Sequence, residues 1–414
     1  MRRSIRFAAA GTTAAVGLSL LALAAPAQAE RTERASDRAN PLGLRSDFDP
    51  NAFDAQGAER ARSWASVQAG MDEMIDDGAV GAVARIDTPK GAREWSAGDR
   101  RMWSSLPANP EGAFRVASNT KMMVATLVMQ QVDKGTWSLD TTVEEIAPGL
   151  LPGHGEVTLE QLLSHTSGMP EGVLHLLYTK MADPNSFPDF IEVLGESYEP
   201  EQVIAAALQE EWQFEPGTGF FYSNAGYVVL GTLLERATGQ PLAVQLRRNI
   251  FAPAGMTRSA FPSEPGLRLG SNFEAAKTPV PNRWWGLPDW DPDLFWAAGA
   301  TVSTTRDLAR FTKSLLSGKL TSRASLAQML TPRSDAGYGL GVFAIPDPCT
   351  PAGAPQQYLV GHNGASFGTF SFAMSSTDGT RQFSMGITGR HFKSLEQPYD
   401  MYGLVARIAA ETCT

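Results

Sequence analysis

Apolar residues along this chain change their period twice. Over 57–77 they recur at helical spacing (Ala61, Trp64, Val67, Met71, Met74, Ile75), which predicts a surface helix. Residues 80–87 and 93–97 read as two strands joined by the turn Thr88-Pro89-Lys90-Gly91. From 120 to about 330 the spacing is again helical, with long loops. The stretch 122–133 is densely apolar and stops before Gly135, as a buried helix does. Further helices are predicted over 224–238, 242–251, 304–317 and 322–330. The period then falls to two. Residues 338–345, 358–362, 369–375 and 382–387 predict strands, with a turn at Asp378-Gly379, and 394–411 a closing helix. Short hairpin connections make the sheet antiparallel. The predicted class is α+β, with one sheet built from both termini and flanked by helices. A sheet lobe of about 57–115 and 332–414 holds an inserted helical lobe of about 116–331, all one domain over 57–414. No repeat is present. Residues 278–296 hold Trp284, Trp285, Trp290 and Trp296 among prolines, either a structured loop over a pocket or a packed surface loop.

The first 29 residues have a different origin. Arg2, Arg3 and Arg6 precede an apolar, Ala-rich run, and Ala27-Gln28-Ala29 is a small-x-small cleavage site. This pattern is that of a secretory signal peptide, with Glu30 at the mature N-terminus and a secreted, extracellular location expected. Residues 30–56 are polar and aperiodic, a flexible leader. Cleavage takes the net charge from −9 to −12, and that acidity argues against a nucleic-acid partner. No later run is apolar enough to span a bilayer, so no stable membrane anchor is expected. Export permits a disulfide, and Cys349 and Cys413 are the two cysteines of the chain. A bridge closing that loop would stabilise the fold by about 4 kcal/mol in the chain-entropy model. Two free thiols or an intermolecular pair are the alternatives.

Three short segments carry candidate chemistry. Ser118 and Lys121 stand one turn apart at the start of the buried helix. A serine hydroxyl needs a base to become a nucleophile, and a lysine serves when burial lowers its pKa. Tyr222-Ser223-Asn224 precedes another helix. A tyrosine near a cationic lysine can have its phenol lowered and act as base and acid, and Asn224 could bond a substrate amide carbonyl. His362-Asn363-Gly364 lies on a predicted strand, where backbone donors can face an oxyanion and Gly364 admits a close approach. Taken singly, these segments are better read as a chance Ser-x-x-Lys, a packed aromatic beside an Asn cap, and a structural histidine.

The ordered set, Ser-x-x-Lys then Tyr-x-Asn then His-x-Gly, resembles the penicillin-recognising serine hydrolases, a β-lactamase/transpeptidase-like fold. The tyrosine form is similar to class C β-lactamases, and the histidine form to secreted D-alanyl-D-alanine carboxypeptidases of actinomycete type. The stretches 157–168, 254–257 and 338–341 agree, from about residue 70 to the end. The resemblance implies Ser118 as acylated nucleophile, Lys121 as its partner, Tyr222 as proton shuttle and His362 as its orienting support. It implies backbone N–H groups of Ser118 and Ala365 as oxyanion donors. Cys349 and Cys413 sit where such a carboxypeptidase has its bridge. The implied activity is D-Ala-D-Ala carboxypeptidase, with an esterase, amidase or β-lactamase on the same scaffold as the alternative. The implied substrate is a small peptide, β-lactam or ester, handled by a monomer.

The chain departs from that pattern where a terminal carboxylate would be held. Phe343 stands in place of an arginine, and Asn363 and Ala365 in place of hydroxyl residues. Arg390 and Lys393, after the last strand of the sheet, are the expected substitutes. A rival nucleophile is Ser366 in Gly364-Ala365-Ser366-Phe367-Gly368, with Asp378 and His391 following, but that elbow requires a strand-to-helix turn. A non-catalytic wall-binding module with a degenerate site is the remaining alternative. No metal-ligand or phosphate-loop motif occurs, so no metal and no cofactor is expected.

Overall fold

The computed structural model describes residues 65–101, 105–261, 290–389, 392–394, 397–398 and 400–413, and the short backbone pairing of 274–275 with 285–286. The expected signal peptide, the leader and Arg390 lie outside the described residues.

Helix α1 (Val67–Asp76) starts where the Ser66 side chain accepts from Ala69 N–H, and buries Val67, Met71 and Met74. Strands β1 (Gly81–Thr88) and β2 (Gly91–Gly98) form the expected hairpin. After β3 (Phe114–Arg115), helix α2 (Asn119–Asp133) crosses the molecule with twelve of its fifteen residues buried, so it is a core helix and not an amphipathic one. The helical region follows with α3 (Leu159–Leu163), α4 (Val173–Lys180), α5 (Phe187–Leu194), α6 (Pro200–Ala207), α7 (Asn224–Thr238) and α8 (Leu242–Leu246). Helix α8 runs into a widened π turn, Arg247–Phe251, within the expected span. Next come α9 (Trp296–Gly299), β4 (Val302–Ser303), α10 (Thr305–Leu316) and α11 (Arg323–Leu330). Strands β5 (Phe343–Pro346), β6 (Tyr358–Ser366), β7 (Thr369–Ser376) and β8 (Gln382–Thr388) complete the sheet before α12 (Met401–Glu411).

The sheet is antiparallel in the order β2-β1-β8-β7-β6-β5, so strands from both ends of the chain meet at the β1–β8 ladder, Gly81 opposite Thr388. Strand β7 is buried along its whole length. Helices α1 and α12 cover one face, and α10 and α2 the other. One apolar core lies under the first pair and a larger one fills the helical region.

Two boundaries differ from expectation. Residues 392–394 and 397–398 pair as short strands, and α12 begins at Met401, capped by Asp400, whose side chain accepts from Gly403 N–H; Pro398 cannot donate within a helix. Tyr338 to Gly341 is not strand but a turn, with Gly341 at φ 76° against the α2 backbone. Of the tryptophan-rich stretch, Trp290 and Trp296 are buried core residues. Cys349 and Cys413 are joined by a disulfide.

Candidate active site

Ser118 stands at the N-cap of α2 yet caps nothing. Its own backbone is already helical (φ −61°, ψ −8°), so its hydroxyl is turned away from the first-turn amides. Ala117, just before it, takes φ 46°, a conformation that a residue with a Cβ adopts only when its surroundings impose it. The surroundings do so: Thr120 donates twice to Ala117 O, Val116 donates to Thr301 O, and Ser371 Oγ donates to Val116 O while accepting from Asn119 Nδ2.

Lys121 is fully buried one turn on. Its Nζ lies 3.1 Å from Ser118 Oγ, 2.7 Å from Asn224 Oδ1 and 2.9 Å from the Ala298 carbonyl. Burial pushes the amine well below its ordinary value, opposed by the charge of Glu171. Nζ has three acceptors around it, and on losing a proton it can keep two N–H bonds to Asn224 Oδ1 and the Ala298 carbonyl and turn a lone pair toward Ser118. Three elements distant in sequence (α2, α7 and α9) therefore converge on one nitrogen.

Tyr222 lies over the same amine, its ring centroid 4.7 Å from Nζ, and its hydroxyl interacts with Ser118. The expected lowering of its phenol does not occur. Burial pushes it well above its ordinary value, opposed by the bond to Ser118 and reinforced by Tyr227 and Glu171. Beneath Tyr222 lies His165, ring centroids 4.2 Å apart, with Nδ1 accepting from Ser223 N–H at 3.2 Å.

His362 is fully buried. Its Nδ1 bonds the carbonyl of Asn363, so Nε2 is the acceptor, taking the Tyr338 hydroxyl at 2.9 Å. Burial and the charge of Lys121 take its pKa down to about 3. Its ring lies 6.4 Å from that of Tyr222, with Tyr338 packed edge-on beside both. Tyr338, the first residue of the 338–341 stretch, thus bridges His362 to the Tyr222 ring.

Gly364 brings the β6 backbone against the nucleophile. A Cβ there would stand 2.2 Å from Val116 O and 3.1 Å from Ser118 N. Pairing of β5 with β6 ends at Gly361, so among the described residues 362–366 have no strand partner on that edge beside Ser118, and Ala365 is partly exposed. Asn224 organises the base: its Oδ1 holds Lys121 and one of its two Nδ2 donors goes to Glu171 Oε1 at 2.9 Å. Glu171 and the Ala298 carbonyl were not anticipated, and His165 stood within the 157–168 stretch without a role assigned to it. A carbonyl carries no residue-type signal, and a single Glu in a helical region has no distinguishing spacing.

Ser366 is not a nucleophile elbow. Its hydroxyl pairs with Thr369 Oγ1 at 2.9 Å across an antiparallel hairpin, where an elbow needs a helix; His391 lies outside the described residues. Phe343 is buried, edge-on to His362. Of Lys393 only the backbone is described. Among the described residues no group of three or more His, Cys, Asp or Glu is placed to hold a metal ion, and no helix is long and apolar enough to cross a membrane.

Residues 66–380 match the family model described as Beta-lactamase. Penicillin-binding protein 4 of Amycolatopsis lactamdurans is 29% identical over 320 residues, 70% of this chain and 76% of that one. Esterase EstB of Burkholderia gladioli is 32% identical over 225 residues, 52% of this chain and 55% of that one. The chain spans about half the length of several curated relatives, EstB among them. In structure it is similar to a D-stereospecific amidohydrolase from Streptomyces sp., with TM-score 0.71 and 25% identity over 82% of this chain and 96% of that one.

Proposed function

This chain belongs to the Beta-lactamase family and is a serine hydrolase of that fold, and we propose that it cleaves small esters and amides whose leaving group is uncharged, D-aminoacyl amides among them, through an acyl-enzyme on Ser118. The carrying observation is the buried Lys121 amine, bonded to two fixed acceptors and aimed at Ser118 Oγ.

Ser118 Oγ attacks the substrate carbonyl as its proton passes to the Lys121 lone pair. The oxyanion forms against backbone N–H groups of Ser118 and Ala365, beside the open edge of β6. The neutral Tyr222 phenol, within reach of Ser118, relays the proton to the departing alkoxide or amine. Water or an acceptor amine then releases the acyl group by the reverse sequence.

The leaving-group preference rests on what lines that edge. A free carboxylate would need a cation, and β6 presents neutral His362, Asn363 and Ala365, with buried Phe343 beside them. The likeness to an esterase and a D-stereospecific amidohydrolase supports the same reading. D-Ala-D-Ala carboxypeptidase action is the second reading, favoured by Arg390 and Lys393 directly after β8. Export is part of the proposal: the 1–29 pattern and the Cys349–Cys413 disulfide both support it.

The test compares wild type with Ser118→Ala on p-nitrophenyl acetate, D-alanine amide and a peptide ending in D-Ala-D-Ala, with intact mass after penicillin exposure. Turnover of the ester and amide, lost in the variant, with no D-Ala release, is the expected result. Release of D-Ala faster than ester turnover, abolished by Arg390→Ala with Lys393→Ala, would establish the second reading instead. Purified culture supernatant should yield a chain starting at Glu30.

A further inference from the structure

Asn224 is an amide whose two faces are read by different neighbours. Its Oδ1 accepts from Lys121 Nζ at 2.7 Å, and its Nδ2 donates to Glu171 Oε1 at 2.9 Å. A primary amide fits the same space after a half-turn that exchanges oxygen and nitrogen. The two orientations are not equivalent for catalysis. With oxygen toward Lys121, the amine donates to Asn224 and to the Ala298 carbonyl and keeps its lone pair for the Ser118 proton. With nitrogen toward Lys121, the lone pair is drawn to the amide and the serine loses its base.

Something must choose between them, and Glu171 has the chemistry to do so. An ionised carboxylate only accepts, so it holds Nδ2 and rejects Oδ1. Glu171 is itself held in place: its Oε2 accepts from Leu174 N–H at 2.9 Å and Val173 N–H adds a second bond, both in the first turn of α4.

We propose that Glu171 is a positioning residue that locks the Asn224 amide in the one orientation leaving the Lys121 amine able to take the Ser118 proton. The inference rests on the acyl-enzyme reading above. The groups facing Glu171 are Lys121 from α2, Tyr222 and Asn224 at the start of α7, and the first-turn amides of α4. Burial pushes its carboxyl up, while the bonds from Leu174, Asn224 and Val173 and the charge of Lys121 hold it down. Protonation turns Glu171 into a donor that suits the wrong amide face, so acidification releases the lock. A carboxylate that merely capped α4 would alter stability and leave the pH profile of acylation unmoved.

The experiment follows acylation of Ser118 by a fluorophosphonate probe between pH 4 and 9, with Ser118→Ala as the blank. Glu171→Gln, which can donate or accept, should slow acylation about 10- to 100-fold and remove the acidic limb that the carboxylate contributes. Glu171→Gln with Asn224→Asp should recover rate, because two carboxylate oxygens accept from Lys121 and Gln alike whichever way they turn. Its acidic limb should move to higher pH, since the negative charge then touches the amine. The proposal is overturned if folded Glu171→Gln acylates within twofold of wild type with the same acidic limb, or if the double variant is no faster than the single one. Should Glu171→Gln not fold, the double variant is compared with Asn224→Asp alone, in which two carboxylates oppose each other. A faster double variant supports the lock, and an equal or slower one overturns it. Absence of labelling at Ser118 in wild type overturns the hydrolase reading, and the lock with it.

Discussion

Lys121 is where one residue decides the chemistry. A fully buried amine whose pKa is pushed down gives up its proton more readily and can serve as a base, and an arginine in its place would not. Lys121→Arg is expected to lower kcat/KM roughly 10²- to 10⁴-fold. The sign of the pH dependence follows from the same burial. The base must be unprotonated, and desolvation lowers its pKa, so kcat/KM for a neutral ester should reach its plateau well below pH 10.5, the ordinary lysine value. A rise that continues to that pH would contradict a desolvated base. His362 makes a stability prediction. Its folded pKa of about 3 lies below the ordinary 6.5, so the unfolded chain binds more protons between those values. The stability that this group contributes is complete above pH 6.5 and is lost as pH falls toward 3. At pH 4.5 that loss is about 2–3 kcal/mol. His165, also lowered, adds in the same direction, while the raised carboxyl of Glu171 works the other way. Urea midpoints at pH 7.5 and 4.5 should therefore diverge less in His362→Gln than in wild type; equal divergence would deny His362 that role.

The decisive juxtaposition among the elements is β6 against the start of α2. Gly364 permits it, because the strand backbone lies where a methyl group would meet Val116 O at 2.2 Å and Ser371 Oγ at 2.5 Å. Those neighbours are part of the network that holds Ala117 in its positive φ, so they cannot retreat freely. Gly364→Ala should displace β6 from Ser118 and lower kcat about 100-fold, with a smaller effect on the melting temperature. Near-normal kcat would mean that the strand edge is not part of the reacting site. Helix α7 is the counterpart on the other side. Ser223 caps it, accepting from Gly226 N–H, and that cap fixes Asn224 beside the lysine and Tyr222 one step outside the helix.

Taken whole, the molecule is a sheet closed from both ends of the chain, and its stability depends on keeping the C-terminus in place. The disulfide joins Cys349, shortly after β5, to Cys413, just beyond α12, over 64 residues. Replacing both cysteines by serine should lower unfolding free energy by up to about 4 kcal/mol, read from denaturant midpoints. The rate of Ser118 acylation should stay at the wild-type value, because neither cysteine touches the nucleophile's hydrogen-bond network. A large loss of acylation in a folded variant would show that the C-terminal helix shapes the cleft.

Periodicity and local chemistry carried the sequence a long way. The alternation in β7 and β8, the dense apolar run of α2 and the Ser-x-x-Lys pair one turn apart are short-range patterns, set by residues a few positions from each other, and the structure contains them as written. The start of α12 was misread because a proline and an Asp cap stop a helix more firmly than an apolar pattern extends it. Only the tertiary structure decided the rest. Ser118, Lys121, Asn224 and Ala298 meet although up to 180 residues separate them, and two of the bonds on Lys121 depend on that meeting. The lowered pKa of Lys121, the raised one of Tyr222, the Tyr338–His362 bond and the contact of Glu171 with Asn224 all follow from burial and orientation. Those are properties of a packed three-dimensional site, and a linear string of residue types does not encode them.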